Sequence, residues 1–233
     1  APFRDEKGTS NGIVMIIQDI TERQKLDNMR KEFVANVSHE LKTPLTSIKS
    51  YTETLLEGAL EDKKLAKEFL NVINSETDRM DRLVRDLLQL SRLDYEKEEW
   101  NKKESNLVKI VENAIVKVSI TAKNKQQKLS FVYEEEAFIC WVDKDKIEQV
   151  ILNILTNAIK YTPEHGQIKI LLTGDEGQAV LAIKDNGIGI PQKDISRVFE
   201  RFYRVDKARS RMLGGTGLGL SIAKQILEAH NGT

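Results

Sequence analysis

His39 stands in FVANVSHELKTPL (33–45), a run whose apolar residues recur at helical spacing. An imidazole nitrogen is both nucleophile and base near neutral pH. At about 100° per residue, His39 lies roughly 160° from the middle of the stripe made by Val34, Val37, Leu41, Leu45 and Ile48, so the ring is expected to face outward. Glu40 follows directly and can accept the Nδ1 proton, which raises the nucleophilicity of Nε2. Thr43 falls one turn on, on the same face, where its hydroxyl can position a water. Pro44 removes a helical hydrogen bond and clashes with the preceding turn, at about 3 kcal/mol in a helix interior. It therefore frees or distorts carbonyls beside His39 and Glu40 and allows the helix to bend next to the nucleophile.

A second group of residues could supply a phosphoryl donor. In NILTNAIKY (153–161), Asn153, Asn157 and Lys160 are spaced four and three apart and share a helix face. Two amides and an ammonium suit a magnesium–phosphate group, although an ordinary solvated face would explain the asparagines alone. In DNGIGIP (185–191), Asp185 can accept a hydrogen bond from an exocyclic amine such as that of adenine. Gly187 and Gly189 allow close backbone approach, and a plain Asp-Asn-Gly turn is the competing explanation. FERFYRVD (199–206) offers Arg204 as a phosphate contact. GGTGLGL (214–220) places Gly215, Gly217, Leu218 and Gly219 at the start of a helix, where backbone N–H groups can meet phosphate. The intervening KARSRMLG (207–214) is expected to be a lid. There is no GxxxxGK[ST] loop, HRD or DFG, which excludes P-loop and protein-kinase-type sites.

These residues need elements to hold them. The apolar stripe from Val34 continues to Leu55. A second runs through Leu65, Phe69, Val72, Ile73, Met80, Leu83, Leu87 and Leu90, with Gly58 marking the turn between them. Such seams predict an antiparallel hairpin, and a homodimeric four-helix bundle would bury what one hairpin leaves open. The charged stretch 94–106 reads as a linker. Beyond it, helices expected in LVKIVENAIVKV, DKIEQVILNILTNAIKY and about 217–229 mix with strands expected in KLSFVYE, around CWVD, in QIKILLTGD and in QAVLAIKD, an α+β pattern. GIVMIIQDI (12–20) reads as a further strand. Lysine plus arginine equal aspartate plus glutamate at 36 each, so no basic excess argues for direct nucleic-acid binding. The lone Cys140 suits strand packing in a reducing compartment. No run of about 20 apolar residues is present, and no signal peptide. The chain reads as a fragment, the cytoplasmic portion of a membrane-anchored parent.

SHELKTPL resembles the H box of bacterial sensor histidine kinases. The 153–161, 185–191, 199–206 and 214–220 motifs, in that order, resemble the N, G1, F and G2 boxes of the Bergerat-type ATP-binding domain. The resemblance implies a helical hairpin forming a dimeric four-helix bundle, then an α+β sandwich that binds ATP and Mg²⁺. His39 is implied as phospho-acceptor, Glu40 as base and Thr43 as the residue orienting water during dephosphorylation of a response regulator. Asn157 with Asn153 would ligate the metal, Lys160 and Arg204 would meet phosphates, Asp185 the adenine amine and Tyr161 the base. The family's domain usually continues past HNG into at least one more strand. IVMIIQDITERQKLD resembles a PAS exit strand and signalling helix, and the combination with FVANVSHELKTPLTSIKSY resembles the WalK/VicK group. The expected division is a PAS remnant at 1–21, the hairpin at 22–95 and the ATP-binding domain at 96–233. A Bergerat-type ATPase of the chaperone or topoisomerase kind, or a dimeric scaffold without kinase activity, is the alternative.

Overall fold

The computed structural model describes residues 2–4, 10–13, 18–94, 99–175, 177–206 and 215–233. The chain divides into two compact units, Ala1–Lys42 and Thr43–Thr233.

In the first unit, strands β1 (Pro2–Arg4) and β2 (Ser10–Ile13) pair antiparallel, with Phe3 opposite Gly12. Of the strand expected over 12–20, Gly12 and Ile13 lie in β2. Residues 14–17 lie outside the described residues, and 18–20 have no regular structure. Helix α1 (Thr21–Leu56) begins where Asp19 Oδ1 accepts from Thr21 N at 2.8 Å, satisfying a donor that the helix itself cannot. In this unit Val34, counted in the apolar seam, is 57% exposed.

The second unit starts with the last part of α1, which continues through Pro44, a buried residue. Gly58, at φ +131°, makes the turn, a conformation that side chains resist. Asp62 Oδ1 then accepts from Lys64 N and Leu65 N at 2.9 and 3.1 Å, capping α2 (Lys63–Asp94). Tyr51 of α1 meets Phe69 of α2 with ring centroids 5.0 Å apart. Leu55, Ala66, Leu83 and Leu90 are buried, whereas Leu45, Leu56, Leu70, Val84 and Leu88 are exposed.

The α/β part follows. Residues 95–98 lie outside the described residues, and the expected linker ends sooner than 106: β3 (Lys103–Asn106) pairs antiparallel with β5 (Ile139–Val142). Asn106 caps α3 (Leu107–Asn124), its Oδ1 accepting from Val108 N at 3.0 Å. A mixed sheet has the order β4 (Lys128–Tyr133), β6 (Gln167–Asp175), β7 (Gln178–Asp185). β4 runs parallel to β6 and β6 antiparallel to β7. Ile168, Ile170 and Leu172 alternate with exposed Gln167 and Lys169, so one sheet face is covered. On it lie α3, α4 (Lys144–Tyr161) and α5 (Gly219–Ala229). Ile151, Leu155, Leu218, Ile222 and Ile226 are buried among these helices. Lys117 of α3 pairs with buried Glu148 of α4 at 2.8 Å, which compensates a charge that would be costly to bury alone.

Candidate nucleotide site and phospho-acceptor helix

Helix α4 is pinned at both ends. At its start Asp143 Oδ1 accepts from Asp145 N and Lys146 N at 3.1 and 3.3 Å. Asp143 Oδ2 accepts from Asn101 N at 2.9 Å, and Asp143 N donates to His230 Nε2 at 3.0 Å. His230 is thus the tautomer protonated at Nδ1, which donates to Ile226 O at 2.7 Å. At the other end Lys125 Nζ donates to the carbonyls of Ile159, Lys160 and Thr162 at 2.8, 3.1 and 3.1 Å. Buried Gln127 adds Nε2 bonds to Ile159 O and Thr162 O at 3.0 and 2.8 Å. A cation on the last carbonyls of a helix opposes the negative end of its dipole.

This clamped helix presents Asn153, Asn157, Lys160 and Tyr161. Asn153 Nδ2 donates to Gly219 O at 2.9 Å, tying α4 to the glycine-rich loop. Asn157 is half-buried. Lys160 Nζ lies 5.2 Å from the Tyr161 ring centroid. Burial, then the charges of Arg204, Arg79 and Arg82, lower the Lys160 ammonium to about 8.

The loop after β7 closes against the end of α4. Ile188 N donates to Tyr161 O at 3.3 Å, and Asp185 Oδ1 accepts from Gly187 N at 2.8 Å. A Cβ on Gly187 would lie 2.6 Å from Tyr161 O and 2.7 Å from Asp185 Oδ1, so only glycine permits this approach. Gly189, at φ +69°, has open space around its Cβ position. On the far side, Phe202 N donates to Gly217 O at 2.9 Å. Phe202 itself sits at φ +63°, and a Cβ on Gly217 would lie 3.0 Å from the Phe202 backbone. Arg204 Nη2 donates to Thr216 O at 2.9 Å. Gly215 is half-buried, Leu218 is fully buried at the start of α5, and Gly219 packs against Asn153. The four motifs therefore gather along the second half of α4, from Asn153 to Tyr161. The expected lid, 207–214, lies outside the described residues.

Helix α2 also reaches this site, which the sequence reading did not find. Thr216 Oγ1 donates to Asp86 Oδ2 at 2.8 Å. Burial raises the Asp86 carboxyl, and the Thr216 bond and the Arg82 charge offset part of that rise. Arg201 grips Asp94 through Nη1 and Nη2 at 2.7 and 2.5 Å, and Gln225 Nε2 adds a bond to Asp94 Oδ1 at 3.0 Å. Burial alone would raise the Asp94 carboxyl, but the Arg201 and Gln225 hydrogen bonds and the Arg201 charge outweigh it and leave it lowered. Gln89 and Gln149 exchange amide hydrogen bonds at 2.7 Å. The only signal in the sequence was helical spacing along α2.

In the other unit, His39 is exposed on α1, and the neighbouring Ser38 hydroxyl donates to Val34 O at 2.9 Å. Glu40 is half-buried there, and Thr43, the first residue of the second unit, is half-buried too.

Residues 29–96 match the His Kinase A (phospho-acceptor) domain, and residues 142–233 match the histidine kinase-, DNA gyrase B-, and HSP90-like ATPase family. With the hairpin and the α/β layer in this order, the chain belongs to the sensor histidine kinases, built from a phospho-acceptor domain and an ATP-binding domain. Within that class it is 48% identical over 97% of its length to sensor histidine kinase WalK of Bacillus subtilis (strain 168). It is 45% identical over the same share to sensor protein kinase WalK of Staphylococcus aureus. The chain spans 37% of the first of these relatives and 55% of the second. The histidine kinase ThkA, solved in complex with response regulator protein TrrA, covers the whole chain with a TM-score of 0.71 and 27% identity, over 67% of its own length. Acinetobacter baumannii histidine kinase AdeS aligns over 82% of this chain and 86% of its own, with a TM-score of 0.64 and 26% identity. Among the described residues no helix is long and apolar enough to cross a membrane.

Proposed function

We propose that this chain is the catalytic core of a two-component sensor kinase that phosphorylates itself on His39 from ATP. His39 Nε2 forms the new P–N bond as the γ-phosphoryl leaves ADP, and Glu40 takes the ring proton. The phosphoryl group then passes to an aspartate of a response regulator, and Thr43 orients water when the same hairpin dephosphorylates that regulator. The residues fit a nucleotide. Gly187 brings the Asp185 loop against Tyr161 with no room for a side chain. Lys160 is surrounded by positive charge that an anion would offset. Asp185 would hold the adenine amine, with Tyr161 near the base and Gly187 and Gly189 allowing its approach. Lys160, Arg204 and the backbone of Gly215, Gly217, Leu218 and Gly219 would hold the phosphates. Asn157, supported by Asn153, would hold Mg²⁺, which when bound offsets phosphate charge. Positioning and charge are what phosphoryl transfer chiefly demands of a protein. Exposed Leu70, Val84 and Leu88 on α2 support a homodimer that covers them. The parent in this reading is membrane-anchored, with this portion in the cytoplasm.

The observation that carries this reading is an exposed histidine in SHELKTPL within the same chain as the converged four-motif site. Incubation with γ-labelled ATP should give an acid-labile, base-stable phosphoprotein, and His39→Gln should give none. Acid-labile label that survives His39→Gln would reject the assignment.

A further inference from the structure

Helix α2 carries two arginines on the side that meets the candidate nucleotide site. Arg79, Arg82 and Asp86 follow one another at steps of three and four, so they stack along one side of the helix. Asp86, at the end of the row, is fixed against the glycine-rich loop by Thr216 Oγ1 at 2.8 Å. The carbonyl of that same threonine is held by Arg204 at 2.9 Å. The row thus starts at the loop expected to wrap the phosphates and runs back past Lys160, whose ammonium senses Arg204, Arg79 and Arg82 together.

Cations do not converge without cost, and a helix can avoid the cost by turning them to water. Arg79 is instead only 6% exposed. Glu76 lies 3.6 Å from Arg79, and Asp86 is close enough to Arg82 to be shifted by it, which offsets part of the charge. No carboxylate is among the charges that shift Lys160. The charges acting on Lys160 are those of three guanidinium groups, beside the glycine-rich loop that Asp86 and Arg204 both hold. Guanidinium groups are suited to phosphate because their planar donors meet its oxygens in pairs.

We propose that Arg79 and Arg82 of the hairpin bind the outer phosphates of the nucleotide together with Lys160 and Arg204, so that the triphosphate is gripped from α2 as well as from the ATP-binding domain. This rests on the ATP reading above.

Titration calorimetry on the full chain with Mg²⁺ and an imido analogue of ATP, ADP or AMP separates the two ideas. Arg82 is exposed, so Arg82→Gln leaves the fold intact. It should weaken the triphosphate analogue roughly threefold to tenfold, ADP less and AMP not at all, with part of the loss restored by Arg82→Lys. Arg79→Gln should show the same order of effects, with thermal melting run alongside because this side chain is buried. Unchanged affinities in Arg82→Gln, or an equal loss for all three nucleotides, would overturn the proposal while leaving the ATP site standing. An unsubstituted chain that binds none of the three would instead overturn the ATP reading itself.

Discussion

Helices α2 and α4 bury themselves in different ways. In 32 residues α2 has only Ala66, Arg79, Leu83 and Leu90 buried, and one of these is an arginine. The 18 residues of α4 bury Ile147, Glu148, Val150, Ile151, Leu155, Ala158 and Ile159. The ATP-binding domain therefore closes its own core around the helix that carries its site. The hairpin keeps Leu56, Leu70, Val84 and Leu88 on the outside, so a large share of its apolar surface waits for something other than its own chain. A rigid frame suits a site that must hold a nucleotide in one geometry, and an open hairpin suits a part that is finished by association.

The sharpest way to break that contrast is to cut each helix once. Leu155→Ala should cost about 2–5 kcal/mol, because the side chain is fully buried and the frame around it cannot collapse into the void. That loss should not vary with protein concentration in a thermal melt. Leu88→Ala should cost the separated chain less than about 0.5 kcal/mol yet make melting more dependent on concentration if α2 is completed by a second copy. Equal, concentration-independent losses at both positions would erase the distinction. The frame's tightness is tested next by Gly187→Ala. A Cβ there has backbone at 2.6 Å, so a loss of about 1–3 kcal/mol is expected, with nucleotide binding weakened further than stability alone explains. Calorimetry showing normal affinity would mean that the loop does not set the base site.

A further effect is a matter of pH. Lys160 is lowered to about 8 by burial and by neighbouring cations. Phosphate would favour its charged form and raise it again, so binding should take up a proton above pH 8. Affinity should be flat below pH 8 and fall by up to about tenfold per unit above it. The unliganded fold should respond with the opposite sign. Between about 8 and the ordinary lysine value the unfolded chain holds more protons, so stability rises with pH in that window. Lys160→Met should flatten both curves, and a pH-independent affinity in the unsubstituted chain would remove Lys160 from the phosphate site.

What could be foreseen from the residues was what depends on near neighbours. Helical periodicity put His39 on the outside, and the turn at Gly58 and the hairpin joining β6 to β7 were legible because each is set within a few residues. The four-motif site was legible from its order along the chain. Contacts between distant segments were not. The parallel pairing of β4 with β6 joins Lys128 to Gln167, and no local pattern announces which strand will lie beside which. The Thr216–Asp86 bond spans 130 positions. The stretch expected to be a linker holds β3, since one edge of that small sheet is supplied by β5 and not by its own composition. Val34 and Leu45, on the seam that a homodimer is expected to cover, are exposed in a single chain, because periodicity identifies a face without saying what will cover it.

Lys125 spends all three ammonium protons on the last turn of α4, and Gln127 spends both of its own on carbonyls of the same stretch. Neither residue belongs to any of the four motifs, and both precede them in the chain. The end of the site formed by Tyr161 and the Asp185 loop therefore comes into being only when the segment ahead of β4 has docked onto a helix made later. A nucleotide that selects this cleft selects the finished domain, so ligand should protect the whole sandwich against unfolding as one cooperative body instead of quieting a single loop.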